Sequence, residues 1–303
     1  MKFISSNILK DHTWATEVKE IDLPVNPISH IIVTLQGFNV TDESTLAEIL
    51  GFLNKVTVLY KGKSIFNMES EDLFALNCFL LKAAPCLTTS TATDNVSRAL
   101  SLIVPFGRRL FNPIECLPKT RKGELKLQLD CTVPATSFDN GIINIQCVEL
   151  PEATPENYLK ATLMNVSAPG AVGDNDVDLP MGNYIAGVLL WSTTAFQTSS
   201  HVQGIDEARI LVDNSEYGYV SGKFLSHIGQ SIANLGQLVR VPAAAGELIT
   251  QHYCYLDYDP VRDNQFLIDT LSVSSFKVRL TMGVDEASKV MAVEVGTIEE
   301  LLK

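Results

Sequence analysis

The sequence predicts an all-β fold made of two tandem jelly-roll β-sandwich domains, each with an inserted amphipathic helix. Three observations lead to this prediction. Many short segments alternate apolar and polar residues between turn residues, a pattern typical of sandwiches and jelly rolls. Several of these segments occur twice, in the same order, within the 303 residues. Each copy also places one helical segment between an early hairpin and the later strands. We therefore expect a first domain over residues 1–153 and a second over residues 154–303.

Two similar segments open the copies. Residues 21–35 read IDLPVNPISHIIVTL, and residues 177–191 read VDLPMGNYIAGVLLW, which is a separation of 156 residues. Each copy continues into a predicted β-hairpin, with a Lys-Gly-Lys turn in the first and an Asp-Asn-Ser turn in the second. The alternating residues of these hairpins, 152 residues apart, are Val56, Val58 and Tyr60, then Ala208, Ile210 and Val212.

A helix is predicted next in each copy. Ser70 can cap the first helix, because a serine side chain accepts a hydrogen bond from the first helical turn, and Glu71 and Asp72 suit the positive end of the helix dipole. A second helix is predicted from Ser221 to Gly236, where glycine favours a helix end. The residues predicted to form the apolar faces are Leu73, Leu76, Leu80 and Leu81, then Phe224, Leu225, Ile228, Ile232 and Leu235.

Three further strand pairs complete the two copies. Single pairs of this kind arise by chance in β-rich chains, but an ordered set with separations between 148 and 156 residues favours a duplication. Prolines and acids around residues 151–155 indicate a linker. The segment YLKATLMNVSA, residues 158–168, has no clear counterpart in the first copy. The paired strand residues are Leu102 and Val104 with Tyr253 and Tyr255; Leu125, Leu127 and Leu129 with Phe276, Val278 and Leu280; and Ile143, Ile145 and Cys147 with Met291, Val293 and Val295.

The charge of the chain argues against wrapping nucleic acid. The formal net charge is −12, divided as −2 over residues 1–151 and −10 over residues 152–303. Binding to a polyphosphate needs clustered lysines and arginines that displace counterions. One cluster of cations stands out, and it predicts either a solvated loop or a contact with phosphate or lipid headgroups. It consists of Arg108, Arg109, Lys119, Arg121, Lys122 and Lys126.

Neither the N-terminus nor the cysteines indicate an extracellular protein. The first residues, MKFISSNILKDHTW, lack the continuous apolar core of a signal peptide, and no stretch approaches the length needed to span a bilayer. We expect synthesis and folding in a cytoplasm. The six cysteines include no CxxC pair and most lie in apolar segments, so free buried thiols are expected.

Two kinds of ligand motif fail on their spacing. Gly62-Lys63-Ser64 resembles the end of a phosphate loop, but Thr57 stands where the first glycine is required, and GYVSGKF has one residue too few between Gly218 and Gly222. The carboxylates of DNDVD and DYDPVRD are Asp174, Asp176 and Asp178, then Asp257, Asp259 and Asp263. An EF-hand starting at Asp174 would need Gly and Glu where Leu179 and Ile185 stand, so we expect solvated acidic turns, with an adventitious calcium ion between subunits left open.

No convincing catalytic arrangement emerges either. A two-domain metalloenzyme of the bicupin type needs a His-x-His pair, and none of His12, His30, His201, His227 and His252 lie two residues apart. His252 and Cys254 are predicted to share a strand face, but no orienting third group accompanies them. We therefore predict no enzyme activity, no catalytic residues, no cofactor-binding residues and no metal ligands.

A duplicated jelly roll of this length resembles the double jelly-roll major capsid proteins of tailless icosahedral viruses, the lineage that joins tectiviruses and adenoviruses. The resemblance rests on the similar openings at residues 21–24 and 177–180, the hairpin and helix after each, and the paired late strands. It covers residues 21–296 and is one of pattern and order.

The resemblance implies a structural protein of the virion, synthesised in the host cytoplasm. Three copies would form a pseudo-hexameric capsomer that tiles an icosahedral shell beside neighbouring capsomers and minor capsid or vertex proteins. In many members of that family a lipid membrane lies beneath the shell, so direct nucleic-acid binding is not expected, and the basic cluster would face inward. The alternative from another class is a two-domain β-sandwich protein that binds carbohydrate or a receptor, such as a virion spike.

Overall fold

The computed structural model describes residues 2–40, 44–82, 85–87, 95–133, 138–166, 171–196, 204–216 and 249–302. These residues divide into two compact units. The first contains the described residues up to Lys160 together with residues 297–302, and the second contains the described residues from Ala161 to Gly296. The predicted boundary between residues 153 and 154 stays a prediction.

The described residues of the first unit contain nine strands in two antiparallel sheets. One sheet has the order β1-β9-β3-β7-β6, and the other has the order β2-β8-β4-β5. The strands are β1 (Ile4–Thr13), β2 (Glu17–Asp22), β3 (Ile28–Asn39), β4 (Leu53–Tyr60), β5 (Lys63–Glu69), β6 (Cys86–Leu87), β7 (Ser97–Pro105), β8 (Leu125–Cys131) and β9 (Phe138–Glu149).

The strand pairing of the first unit is nested. The first long strand, β1, pairs with the last, β9; β2 pairs with β8; β3 pairs with β7; and β4 pairs with β5 across a tight turn. This outside-to-inside order is that of a jelly roll, in which a long hairpin is wound into two sheets. The predicted jelly roll is therefore confirmed for this unit.

The second unit repeats the same nesting. Its sheets have the orders β10-β18-β12-β15 and β11-β17-β13-β14, with β16 as a short addition to β12. The outer pairs are β10 with β18 and β11 with β17, and the inner pairs are β12 with β15 and β13 with β14. The strands are β10 (Asn157–Val166), β11 (Gly173–Asp178), β12 (Tyr184–Ser192), β13 (Ile205–Val212), β14 (Ser215–Glu216), β15 (Tyr253–Asp257), β16 (Ile268–Asp269), β17 (Phe276–Met282) and β18 (Ser288–Thr297).

The strand pairs predicted from the sequence occupy equivalent places in the two jelly rolls. The similar openings form the end of β2 and the start of β3 in the first unit, and the end of β11 and the start of β12 in the second. The late strands match as β7 with β15, β8 with β17 and β9 with β18. Buried and half-buried residues alternate along both β8 and β17, as period 2 requires.

One strand equivalence was missed. The segment at residues 158–168 lies largely in β10, and its counterpart by topology is β1, since each opens its jelly roll and pairs with the last strand. The sequence of β1, ISSNILKDHT, is mostly polar and its residues are exposed or half-buried. It therefore carries little of the apolar alternation by which strands are recognised.

The inserted helix of the first copy lies where it was predicted, but it is not amphipathic. Helix α2 spans Ser70–Leu81, after the shorter α1 (Leu46–Leu50). Eight consecutive residues, 73–80, are buried, so apolar residues cover the helix all round, as in a helix enclosed by a core. Ser70 is not the cap, because that position is Glu69, and the Ser70 hydroxyl instead donates to the Leu50 carbonyl at 2.8 Å. The helix predicted from Ser221 to Gly236 lies outside the described residues.

Candidate functional site

The basic cluster predicted from the sequence is divided by the fold into separate environments. Arg108 is buried, whereas Arg109, Lys119, Arg121 and Lys122 are exposed. Lys126 lies on β8 and pairs with Glu20 of the neighbouring strand β2. The cluster is thus neither one solvated loop nor one continuous binding surface.

Arg108 belongs to a buried ion pair that folds the long connection between β7 and β8. Its Nη2 lies 2.7 Å from Oε2 of Glu115 and its Nε lies 2.9 Å from Oε1, while its backbone N–H donates to the same Oε1 at 2.7 Å. The two side chains are only 3% and 6% exposed. Because the carboxylate accepts from Nε, Nη2 and the backbone N–H of Arg108 and both side chains are buried, the pair has a structural role and is not available to a ligand.

Two of the exposed cations line a depression with a third cation from a distant segment. The depression has a volume of about 470 Å³ and lies within the first unit. Lys61 comes from the β4–β5 turn, and Lys119 and Arg121 come from the connection before β8. The remaining lining residues are Tyr60, Thr120, Glu124 and Leu302. Sequence reasoning missed Lys61, because 58 residues separate it from Lys119.

A second depression of about 430 Å³ lies at the start of α2 and is lined by both signs of charge. Its charged residues are Lys55, Glu69, Glu71 and Asp130. A positive binding surface for phosphate is not formed here, since three carboxylates face one ammonium group.

The resemblance to phosphate loops disappears in the structure. Lys61 and Gly62 form the two-residue turn of the β4–β5 hairpin, with φ of 49° and 79°, as a type I′ turn requires. Lys63 and Ser64 already belong to β5, so no helix follows the glycine. The second imitation, around Gly218 and Gly222, lies outside the described residues.

The expectation of solvated acidic turns is only partly correct: the carboxylates of DNDVD are exposed but lie on a strand, and DYDPVRD contains a turn in which only one of the three carboxylates, Asp263, is exposed. Asp174 and Asp176 lie on strand β11, where Asp176 accepts two hydrogen bonds from Arg279 of β17, at 2.6 and 2.9 Å. These bonds hold the pKa of Asp176 below its usual value. In the other segment Asp257 is buried and pairs with Arg262 at 2.7 Å. Both sets of carboxylates therefore have protein partners.

The described histidines occupy structural positions. His12 lies 2.7 Å from Glu17, and His252 contacts the carbonyl of Ser192 at 3.0 Å. Burial lowers the pKa of His30 to about 4. His252 ends a 3-10 turn and does not share a strand with Cys254, which corrects that expectation. His201 and His227 lie outside the described residues.

The described cysteines are free and buried, as predicted. They are Cys78, Cys116, Cys131, Cys147 and Cys254; the side chain of Cys86 lies outside the described part. Within the residues that the structure describes, no three His, Cys, Asp or Glu side chains are placed to hold a metal ion. None of the helices in those ranges combines the length and the apolar composition needed to cross a bilayer.

Aromatic residues do not form a recognisable sugar platform in the described ranges. Trp14 is buried and stacks on Phe52 with ring centroids 4.8 Å apart. Trp191 is covered on one face by the Lys289 ammonium group, 4.9 Å from the ring centroid. The exposed aromatic pair is Phe3 with Phe111, in an edge contact at 5.4 Å.

Comparison with known proteins identifies the fold. No protein-family profile and no curated protein sequence matches the chain. Among solved structures, the major capsid protein of STIV is 14% identical with a TM-score of 0.72, over 98% of this chain and 97% of that one. Capsid protein P2 of bacteriophage PM2 is 11% identical with a TM-score of 0.65, over 98% of both chains. The Faustovirus major capsid protein is 8% identical with a TM-score of 0.56, over 98% of this chain and 90% of that one.

These structural neighbours are double jelly-roll major capsid proteins of viruses, and they match this chain over nearly its whole length. The match includes both copies of the nested pairing, β1 to β9 and β10 to β18. The chain therefore has the double jelly-roll fold that these viral capsid proteins share.

Proposed function

We propose that this protein is a viral major capsid protein whose trimers form pseudo-hexameric capsomers that tile an icosahedral shell. The observation that carries the proposal is the near-complete mutual coverage with capsid proteins of three viruses, at 98% of this chain each time. A shared fold does not by itself define a function. Here the duplication within the fold supplies a physical reason.

The physical reason is the geometry of a shell. Three copies of a chain with two similar jelly rolls present six similar domains around a threefold axis, which fit a six-coordinated position. In such a ring the first jelly roll of one copy contacts the second jelly roll of the next, so each interface is heterologous and closes after three subunits. The charges of −2 and −10 on the two halves of the sequence suit two surfaces that have diverged for different neighbours.

The proposed role is structural, and the site of action is the virion. The partners are further copies of the chain, neighbouring capsomers, minor capsid or vertex proteins, and a lipid membrane beneath the shell. The protein would be made in the host cytoplasm before assembly.

Light scattering on the protein eluting from a size-exclusion column tests the trimer. The expected mass is about 100 kDa, three times the chain mass of 33.2 kDa. Negative-stain images of the same fraction should show particles with a near-hexagonal outline. A stable monomer that binds glycans on an array and forms no such particles would contradict the proposal and favour the carbohydrate- or receptor-binding alternative.

A further inference from the structure

We propose that the depression between the β4–β5 turn and the connection before β8 binds a phosphate group that is attached to an apolar group, as in a lipid headgroup. The site consists of Lys61, Lys119 and Arg121, with Thr120 and Leu302 at its wall. Every lining residue belongs to the first unit of one chain, so the site needs no residue from a neighbouring copy.

The charge of the depression favours an anion. Lys61, Lys119 and Arg121 are exposed, and their side chains form no ion pair within the described residues. Glu124 is the single carboxylate of the lining, and its Oε2 already accepts from the backbone N–H of Arg121 at 2.9 Å. Three cations therefore face one occupied carboxylate.

Backbone hydrogen bonds fix the two segments that carry these cations before any ligand arrives. The N–H of Lys61 donates to the carbonyl of Glu124 at 2.7 Å, which joins the hairpin turn to the connection before β8. The N–H of Glu124 donates to the carbonyl of Arg121 at 3.1 Å, and Gly123 takes a φ of 82° to close that turn. A preformed site loses less conformational entropy on binding than a flexible loop would.

Thr120 adds a hydrogen-bond donor of the kind that phosphate oxygens accept. The residue is 8% exposed, and its buried Oγ1 has no hydrogen-bond partner among the residues that the structure describes. A buried hydroxyl without a partner costs free energy, and a phosphate oxygen would remove that cost once the hydroxyl turns towards the depression. Guanidinium, ammonium and hydroxyl groups together form the usual chemistry of phosphate recognition.

An apolar wall distinguishes this site from one for a free inorganic ion. Leu302, in the C-terminal helix α3 (Ile298–Leu302), lines the same depression and is 49% exposed. Lys61 extends over the ring of Tyr60, with its Nζ 4.9 Å from the ring centroid. Cations beside apolar groups suit a phosphate headgroup next to its glycerol or acyl carbons, because long cationic side chains keep the charge in water while their stems contact apolar surface.

Vesicle flotation tests the site with the full chain. The probes are vesicles of phosphatidylcholine alone and vesicles with 30 mol% phosphatidylglycerol. We expect binding to the anionic vesicles only. Since each cation near an anionic surface changes the partition coefficient about fivefold, the double variant Lys119→Gln/Arg121→Gln should bind about 25-fold more weakly. The matched control is Lys2→Gln/Lys10→Gln, which removes two exposed cations of the same unit and should bind like the unchanged protein.

Calorimetric titration with inorganic phosphate distinguishes the source of the phosphate. Binding of vesicles and of inorganic phosphate, both weakened in the site variant only, supports a site for a lipid headgroup. Binding of inorganic phosphate alone, weakened in the same variant, would place an anion in the depression but overturn the attached apolar group. Three results would overturn the proposal: equal losses of binding in the site and control variants, no binding of either probe, or selective binding of duplex DNA. Circular dichroism checks that both variants remain folded.

Discussion

Replacing Glu115 by alanine should destabilise the first unit by about 3–5 kcal/mol, because it removes the carboxylate that binds both the buried side chain and the backbone N–H of Arg108. The carboxylate accepts from the Arg108 side chain at 2.7–3.1 Å and from the Arg108 backbone N–H at 2.7 Å. The loss of the backbone bond alone strands a buried donor, at a cost of about 1–3 kcal/mol. Water cannot easily replace the carboxylate, since the two side chains are 3% and 6% exposed.

The two tryptophans make the effect measurable in the correct unit. Trp14 belongs to the first unit and Trp191 to the second, so a Trp191→Phe background leaves Trp14 as the single fluorescent reporter. Trp14 is 7% exposed and stacked on Phe52, so its emission should shift to longer wavelength when this unit unfolds. Urea titrations of this background, with and without the substitution at Glu115, then give the difference in unfolding free energy.

The control is Glu20→Ala, which removes an ion pair with Lys126 in the same unit whose side chains are 47% and 37% exposed. Its expected cost is at most about 1 kcal/mol. The apolar double variant Arg108→Met/Glu115→Leu should lose less stability than Glu115→Ala, because the buried guanidinium is removed together with the carboxylate. A loss for Glu115→Ala no larger than that for Glu20→Ala would refute the reasoning.

Three further predictions concern packing, pH and thiol reactivity. In Gly141→Ala the new Cβ would lie 2.1 Å from Cδ1 of Trp14, so we expect a loss of about 1–3 kcal/mol in the same urea titration; an unchanged midpoint would contradict this. Burial lowers the pKa of His30 to about 4. Between pH 6.5 and 4.5 the His30 imidazole therefore takes up a proton mainly in the unfolded chain, and the free energy of unfolding should fall by about 2–3 kcal/mol over that range. In His30→Gln that part of the pH dependence should disappear, and a profile identical to that of the unchanged protein would show that other groups cause it. Burial raises the pKa of the Cys78, Cys116 and Cys131 thiols to about 12. A thiol-specific chromogenic reagent at pH 8 should therefore label them only after the protein unfolds. Rapid labelling of the folded protein would contradict their burial.

The elements with strong local signals were predictable from the sequence. The alternating strands β8 and β17 and the tight turn at Lys61 and Gly62 are examples, because side-chain alternation and positive φ are properties of a few neighbouring residues. The presence of α2 was predictable for the same reason. Its burial on all sides was not, since an apolar face shows only that a helix packs against something and not how many elements surround it.

The candidate site was only partly predictable. Lys119 and Arg121 belonged to the basic cluster, but their partner Lys61 did not, and Arg108 of the same cluster is buried with Glu115. The acidic segment at Asp174 and Asp176 was mistaken for a turn. Its carboxylates pair across two strands with residues about a hundred positions away, such as Arg279, and a local pattern contains no information on such a partner.

By itself, the sequence determined that the chain is a duplicated, strand-rich protein and fixed the order in which most of its elements occur. That information is local, because the period of apolar residues and the turn residues follow from backbone geometry within a short segment. Only the tertiary structure decided the nested pairing, such as β1 with β9, and the meeting of Lys61 with Lys119 and Arg121. These contacts join residues far apart in the chain, and their free energy depends on the whole set of strands packing together, which no single segment encodes.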